Sequence, residues 1–203
     1  MIGRLLLLLL AVMMAGAAAH AAEPFRLADM KLGMTRDELA RLPRPANKED
    51  VPPAFICSND SQVASDQELS AALALPDPVR KTGTLRCSWF HRTEEGWKGI
   101  GIEMAGHMAE LWLHLLGDAN HPGEERLYQI QVWTPVSARD DIVDQLVAAF
   151  GKPRDSKIAG PAWRNDISDI GLGETPPPES GFYVFFVHRE LQKAFLLRLK
   201  QQG

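Results

Sequence analysis

Nowhere in the 203 residues is there a Gly-x-Ser-x-Gly elbow, a glycine-rich loop ending in Lys-Ser or Lys-Thr, or a His-Glu-x-x-His pattern. These absences remove, in turn, the exposed nucleophile of an α/β-hydrolase, the phosphate cradle of a P-loop and the paired zinc ligands of a metalloprotease helix. "GIGIEMAG" holds glycines, but they alternate with isoleucines and lead into no helix, so it is not a dinucleotide fingerprint. No cofactor is implied. Basic excess is also missing. Lys and Arg number 22 against 26 Asp and Glu, which argues against the basic face of a nucleic-acid binder. No run of like charges suggests a polybasic membrane contact.

Cysteine is scarce. Cys57 and Cys87 are the whole supply, and neither belongs to a C-x-x-C motif that would tune a thiol. An isolated pair in an exported chain reads as one structural disulfide. Closing a loop of about 30 residues stabilises by roughly 3–4 kcal/mol when the bridge acts on chain entropy.

Long apolar runs are confined to the beginning. Arg4 supplies a positive charge, Leu5 to Met14 is uninterrupted apolar sequence, and Ala19-His20-Ala21 fits the small-x-small pattern of a signal-peptidase site. A membrane anchor needs ~18 or more apolar residues, and this run is shorter and ends in small residues before Glu23-Pro24. Residues 1–21 are therefore expected to be a signal peptide, cut between Ala21 and Ala22, leaving a periplasmic or secreted protein with no stable membrane insertion. Loss of Arg4 takes the net charge from −4 to −5. Residues 22–203 are expected to form a single α+β domain, with a finer division into 22–134 and 135–203 left open.

What is present is periodicity. Thr35 followed by Glu38 makes a capping box for a short helix with Leu39 and Leu42 on its apolar edge, stopped by Pro43. Ser65 and Glu68 repeat the pattern before "DQELSAALAL". From Leu85 the period becomes two: "LRCSWFH", "WKGIGIEM", "MAELWLHLL" and "RLYQIQVW" are separated by turn formers, which predicts an antiparallel meander. Ile100, Ile102 and Met104, then Leu111, Leu113 and Leu115, then Tyr128, Ile130 and Val132 are assigned to its core face. A helix follows, capped by Ser137 with Asp140 and striped by Ile142, Val143, Leu146, Val147 and Phe150. Gly151 and Pro153 end it, and it should lie on the apolar side of the meander. "PAWRNDISDIGLG" reads as a strand or hairpin. "FYVFFVH" reads as a last strand running into a terminal helix with Leu191, Phe195 and Leu199 on one side. The two cap-helix-proline units, "GMTRDELARLPRP" and "VSARDDIVDQLVAAFGKP", form a weak internal repeat.

These units carry a resemblance. "LGMTRDEL" resembles the helix start of small exported proteobacterial proteins, including the SmpA/OmlA (BamE) type of outer-membrane assembly lipoprotein. "RLYQIQVW…DDIVDQLVAAFGKP" resembles the strand, helix and "GKP" ending of other exported proteins. The broader fold group is similar to the β-lactamase-inhibitor-protein fold, in which a short helical unit packs on an antiparallel sheet. The resemblance implies that architecture, short helices on one face of the sheet, and a protein-binding role for the open sheet face. It implies no catalytic residue, and the lipid-bearing cysteine of the assembly lipoproteins has no counterpart here.

Two candidate sites follow. Glu103, His107, Glu110, His114, Asp118 and His121 recur every three or four residues; on a helix they would line one side as metal ligands do. Gly99, Gly101, Gly106 and Gly117 punctuate the segment and disfavour that helix. On strands, the side opposite the aliphatic core carries Trp97, Glu103, Glu110, Trp112, His114 and Trp133 with Gln129 and Gln131. Tryptophan joins large apolar area to a hydrogen-bond donor and is common at interface hot spots. That side is either a recognition surface or, if a helix or the N-terminal loop covers it, a second core. The expected function is an exported binding module, more a binder than an enzyme, taking an envelope protein on the tryptophan side. A metal-dependent hydrolase using His107, Glu110, His114 and His121 is the alternative, and stacking of sugars or peptidoglycan fragments on the tryptophans is a third.

Overall fold

The computed structural model describes residues 23–43, 53–117, 124–156, 160–175 and 181–202. The chain begins with a two-stranded hairpin, β1 (Arg26–Leu27) and β2 (Met30–Lys31), and then α1 (Arg36–Ala40). The capping box forms as the sequence predicts: the Glu38 carboxylate accepts from the Thr35 amide at 2.7 Å, and the Thr35 hydroxyl accepts from the Glu38 amide. After β3 (Ala54–Cys57) come α2 (Ser61–Ser65), α3 (Gln67–Ala72) and α4 (Asp77–Lys81). Here the cap differs from expectation. Asp66, not Ser65, starts α3, its carboxylate accepting from the amides of Glu68 and Leu69. A charged acceptor at a helix start is favoured over a hydroxyl by the helix dipole, and Ser65 closes the preceding turn instead.

Next come β4 (Thr84–Thr93), β5 (Gly96–Gly99), β6 (Ile102–Met104), β7 (His107–Gly117) and β8 (Glu125–Pro135). A 3₁₀ turn over Val136–Ala138 leads into α5 (Arg139–Phe150). The expected Ser137 cap is absent: Ala138 occupies the N-cap, and Asp140 and Asp141 in the first turn complement the dipole. The chain finishes with β9 (Arg154–Ser156), β10 (Gly160–Arg164), β11 (Ser168–Glu174), β12 (Gly181–His188) and α6 (Arg189–Lys200). The ambiguous "PAWRNDISDIGLG" stretch is the β10–β11 hairpin.

The main sheet runs β3-β4-β7-β8-β12-β11-β10-β9, and every pairing is antiparallel. The fold is α+β. One face of the sheet carries Leu111, Leu113, Leu115, Ile130, Val132, Val184 and Phe186 beneath Ile142 and Leu146 of α5, and Leu39 of α1 joins the same cluster. The α5 stripe therefore meets the apolar side of the meander. Cys57 and Cys87 are cross-strand partners on β3 and β4, disulfide-bonded and sealed in this core.

The other face has helices as well. Ile56, Val63, Leu69, Leu73 and Phe90 form a smaller cluster under α2 and α3, while α6 lays Phe195 against Tyr128 with ring centroids 5.3 Å apart. That contact corrects the parity assignment. A bulge between His114 and Leu115 sets Leu127, not Tyr128, opposite Leu115. One extra residue on β8 reverses the facing of everything beyond it. Leu127 takes the core place, and Tyr128 turns to the second face.

Candidate functional site

"WKGIGIEM" does not form one strand of the meander. It breaks at Ile100–Gly101 into β5, which pairs with Phe90–Thr93 of β4, and β6, which pairs with the first residues of β7. Direct β4–β7 pairing is limited to Thr84–Cys87. The sheet therefore forks, and two bonds tie the fork: the Ser88 hydroxyl donates to the Leu111 carbonyl at 2.7 Å, and the Ile100 amide donates to the Trp89 carbonyl at 2.8 Å.

A cleft of about 250 Å³ opens at the fork, walled by Phe90, Trp97 and Trp112 with Glu110 and the Gly99 and Gly101 backbone. Gly101 is there for space: a Cβ on it would stand 2.5 Å from the Ala109 carbonyl oxygen, a backbone atom that cannot swing aside. Gly101→Ala is expected to lower unfolding free energy by about 1–3 kcal/mol. Gly117→Ala, which meets open space, should change it by less than about 0.5 kcal/mol. Urea midpoints for the two variants check this, and equal midpoints would reject the close-approach argument.

Trp97, Glu110 and Trp112, which strand parity puts on one side of the sheet, line the cleft together. Trp97 is held by its own amide, which donates to Glu68 Oε2 at 3.1 Å, and Arg92 lies 5.2 Å from its ring centroid. Trp133 sits directly across the ladder from Glu110, its indole against Gly181, where a Cβ would stand 1.9 Å from Nε1. Beyond it, Tyr183 and Phe185 of β12 continue the same side with rings stacked at 5.6 Å. Trp97, Trp112, Trp133, Tyr183 and Phe185 are all half-buried. The face is neither a sealed second core nor fully open. Its β3–β4 end lies under α2 and α3, α6 contacts β8 and β12, and the stretch from Trp112 to Phe185 keeps solvent contact.

The remaining predicted residues go elsewhere. Glu103 is exposed on β6 opposite Met108 and does not line the cleft. His114 is the cross-strand neighbour of Arg86, with its Nε2 sealed from solvent and unpartnered. Burial first, and the Arg86 charge second, push its pKa down to about 3. His107 shares the parity of core-facing Ala109 and Leu111, so it faces away from Glu110 and His114, and it bonds Asp141 of α5 at 2.8 Å. Asp118 and His121 lie outside the described residues, as do Ala21 and Ala22. Among the described residues no three His, Cys, Asp or Glu side chains gather to hold a metal ion.

Sequence reading missed Arg86, Tyr183 and Phe185. The guanidinium of Arg86 lies over the Trp112 ring, 3.9 Å from its centroid, and Nη1 donates to the Ala74 carbonyl at 3.3 Å. The alternation of "LRCSWFH" and "FYVFFVH" did contain the signal, since both residue sets have non-core parity. Comparison with protein-family models, with curated proteins and with solved structures finds no match.

Proposed function

We propose that the protein is an exported binding module whose working surface is the aromatic side of the sheet, taking a protein partner. One observation carries the reading. Along β7, Leu111, Leu113 and Leu115 are at most 2% exposed, whereas Trp112 between them, with Trp97, Trp133, Tyr183 and Phe185 on the same side, retains solvent contact. Fold stability accounts for the first set. Grouping large half-exposed aromatics around a cleft is the composition of a hot-spot region. Export into an oxidising compartment is supported by the Cys57–Cys87 bridge, and no helix among the described residues is long and apolar enough to cross a membrane.

Fluorescence tests the exposure. Of the five tryptophans, Trp89 and Trp163 are sealed at 2% and 3% exposure. A neutral polar quencher is expected to reduce wild-type emission. A Trp97→Phe, Trp112→Phe, Trp133→Phe variant should keep only blue-shifted, poorly quenched emission. Identical quenching of the two proteins would remove the surface. Affinity capture from envelope extract then compares wild type with Trp112→Ala, Trp133→Ala, and loss of a specific band is the expected result.

A further inference from the structure

Arg86 is an anomaly on this face. It reaches across the sheet to stack on Trp112, is half-buried, and commits one of its five donors to the Ala74 carbonyl. Its Nε is sealed without a partner. Its Nη2 makes no hydrogen bond to a described residue and is not sealed. Among the described residues no carboxylate lies within ion-pair distance of it; burial lowers its pKa, and Glu110 and then Tyr183 oppose that only through the longer-range field. The group across the ladder is His114, whose sealed Nε2 is also unpartnered and which, held neutral, brings no negative charge. A cation withdrawn from water is ordinarily compensated by a hydrogen-bonded anion. Where a fold leaves that requirement open at the rim of an exposed aromatic surface, a ligand supplying the anion closes it.

We infer that Arg86 is a carboxylate receptor: the partner is a polypeptide that brings an aspartate, glutamate or C-terminal carboxylate to Arg86 Nη2 and seats an adjacent apolar side chain in the cleft between Trp97 and Trp112. This rests on the docking face proposed above and specifies its chemistry. The guanidinium is already oriented by its stack on Trp112, so little rotamer entropy is lost when the charge-assisted bond forms. Trp112 joins the two parts, lying under Arg86 and lining the cleft, and the exposed Glu110 on the cleft wall sets polarity along the face by repelling a second carboxylate there.

The test uses the disulfide-intact protein and three small probes: N-acetylglutamate N-methylamide, its glutamine counterpart and glucuronate. The side-chain Nε–H of Arg86 and the indole N–H of Trp112 are followed by NMR. The glutamate probe is expected to shift both resonances saturably. The glutamine probe should bind at least tenfold more weakly, and Arg86→Met should lose the glutamate response while the Trp163 indole, bonded to the Gly151 carbonyl, keeps its position. Equal responses to glutamate and glutamine probes would overturn the site using wild type alone, so the outcome stands even if Arg86→Met does not fold. Binding of glucuronate without the glutamate probe would overturn it in favour of an acidic sugar. Capture of the same bands by wild type and Trp112→Ala, Trp133→Ala protein would instead reject the docking face and leave the carboxylate result intact.

Discussion

Replacing Cys57 and Cys87 together by alanine is expected to lower unfolding free energy by roughly 3–4 kcal/mol. The bridge spans a sequence separation of 30, and cutting it restores that loop's freedom mainly to the unfolded chain. Both half-cystines are fully buried in the main core, so alanine leaves a small void whose cost adds to the same sign. Such a loss is a large share of the stability of a domain this size. The consequence reaches the aromatic face. β3 is an edge strand held to β4 over Ala54–Cys57, and its Ile56 supports the cluster on which Trp97 and Trp112 rest. Loosening β3 should therefore soften the cleft wall before the central strands. Urea unfolding of oxidised, reduced and Cys57→Ala, Cys87→Ala protein measures the effect. An unchanged midpoint at an unchanged slope would show that the bridge adds nothing. Tryptophan quenching that rises in the reduced protein below the main transition would locate the softening at the cleft.

Much of this architecture is legible in residue order because one face of each central strand is sealed. Leu111, Leu113 and Leu115 cannot move to the other side without exposing the core, so the places of Glu110, Trp112 and His114 follow. The same logic separates the described members of the histidine and carboxylate series. Spacing of three and four converges on a helix but splits on a strand, which is why His107 leaves for Asp141 while Glu110 and His114 stay behind. Parity fails at Tyr128, since "RLYQIQVW" looks regular and the bulge is set by pairing across the ladder. Caps failed by a residue or two where adjacent acceptors compete, Asp66 displacing Ser65 and a 3₁₀ turn displacing Ser137. The cleft and the Arg86–Trp112 stack were illegible for a different reason. They arise from the break at Ile100–Gly101, which sends β5 back onto β4 and β6 on to β7 where the alternation of residues runs through unbroken, and from α2 and α3 folding over the aromatic side.

His114 gives the second large effect. A histidine whose folded pKa is about 3 while its unfolded value is about 6.5 takes up protons preferentially in the unfolded chain between those limits. The stability it secures is complete above about pH 6.5 and is lost as pH falls toward the folded value. Wild type should therefore lose on the order of 3 kcal/mol more than His114→Gln between pH 7 and pH 4. The substituted amide does not titrate, so the comparison reads the slope and does not depend on how stable the variant is at neutral pH. His188, also lowered by burial with Glu190 opposing, contributes an acid slope of the same sign to both proteins and drops out of the difference. The surroundings offer the imidazolium no relief. Arg86 is across the ladder, and the Tyr128 ring meets the imidazole edge-on at 6.2 Å, its phenol pushed up to about 12 by burial and so neutral. Protonation would set a second cation beside Arg86, which among the described residues has no carboxylate within ion-pair distance. Parallel stability curves for wild type and His114→Gln from pH 7 to pH 4 would mean that water or a rotamer change reaches Nε2, and the sealed, uncompensated row would lose its histidine half.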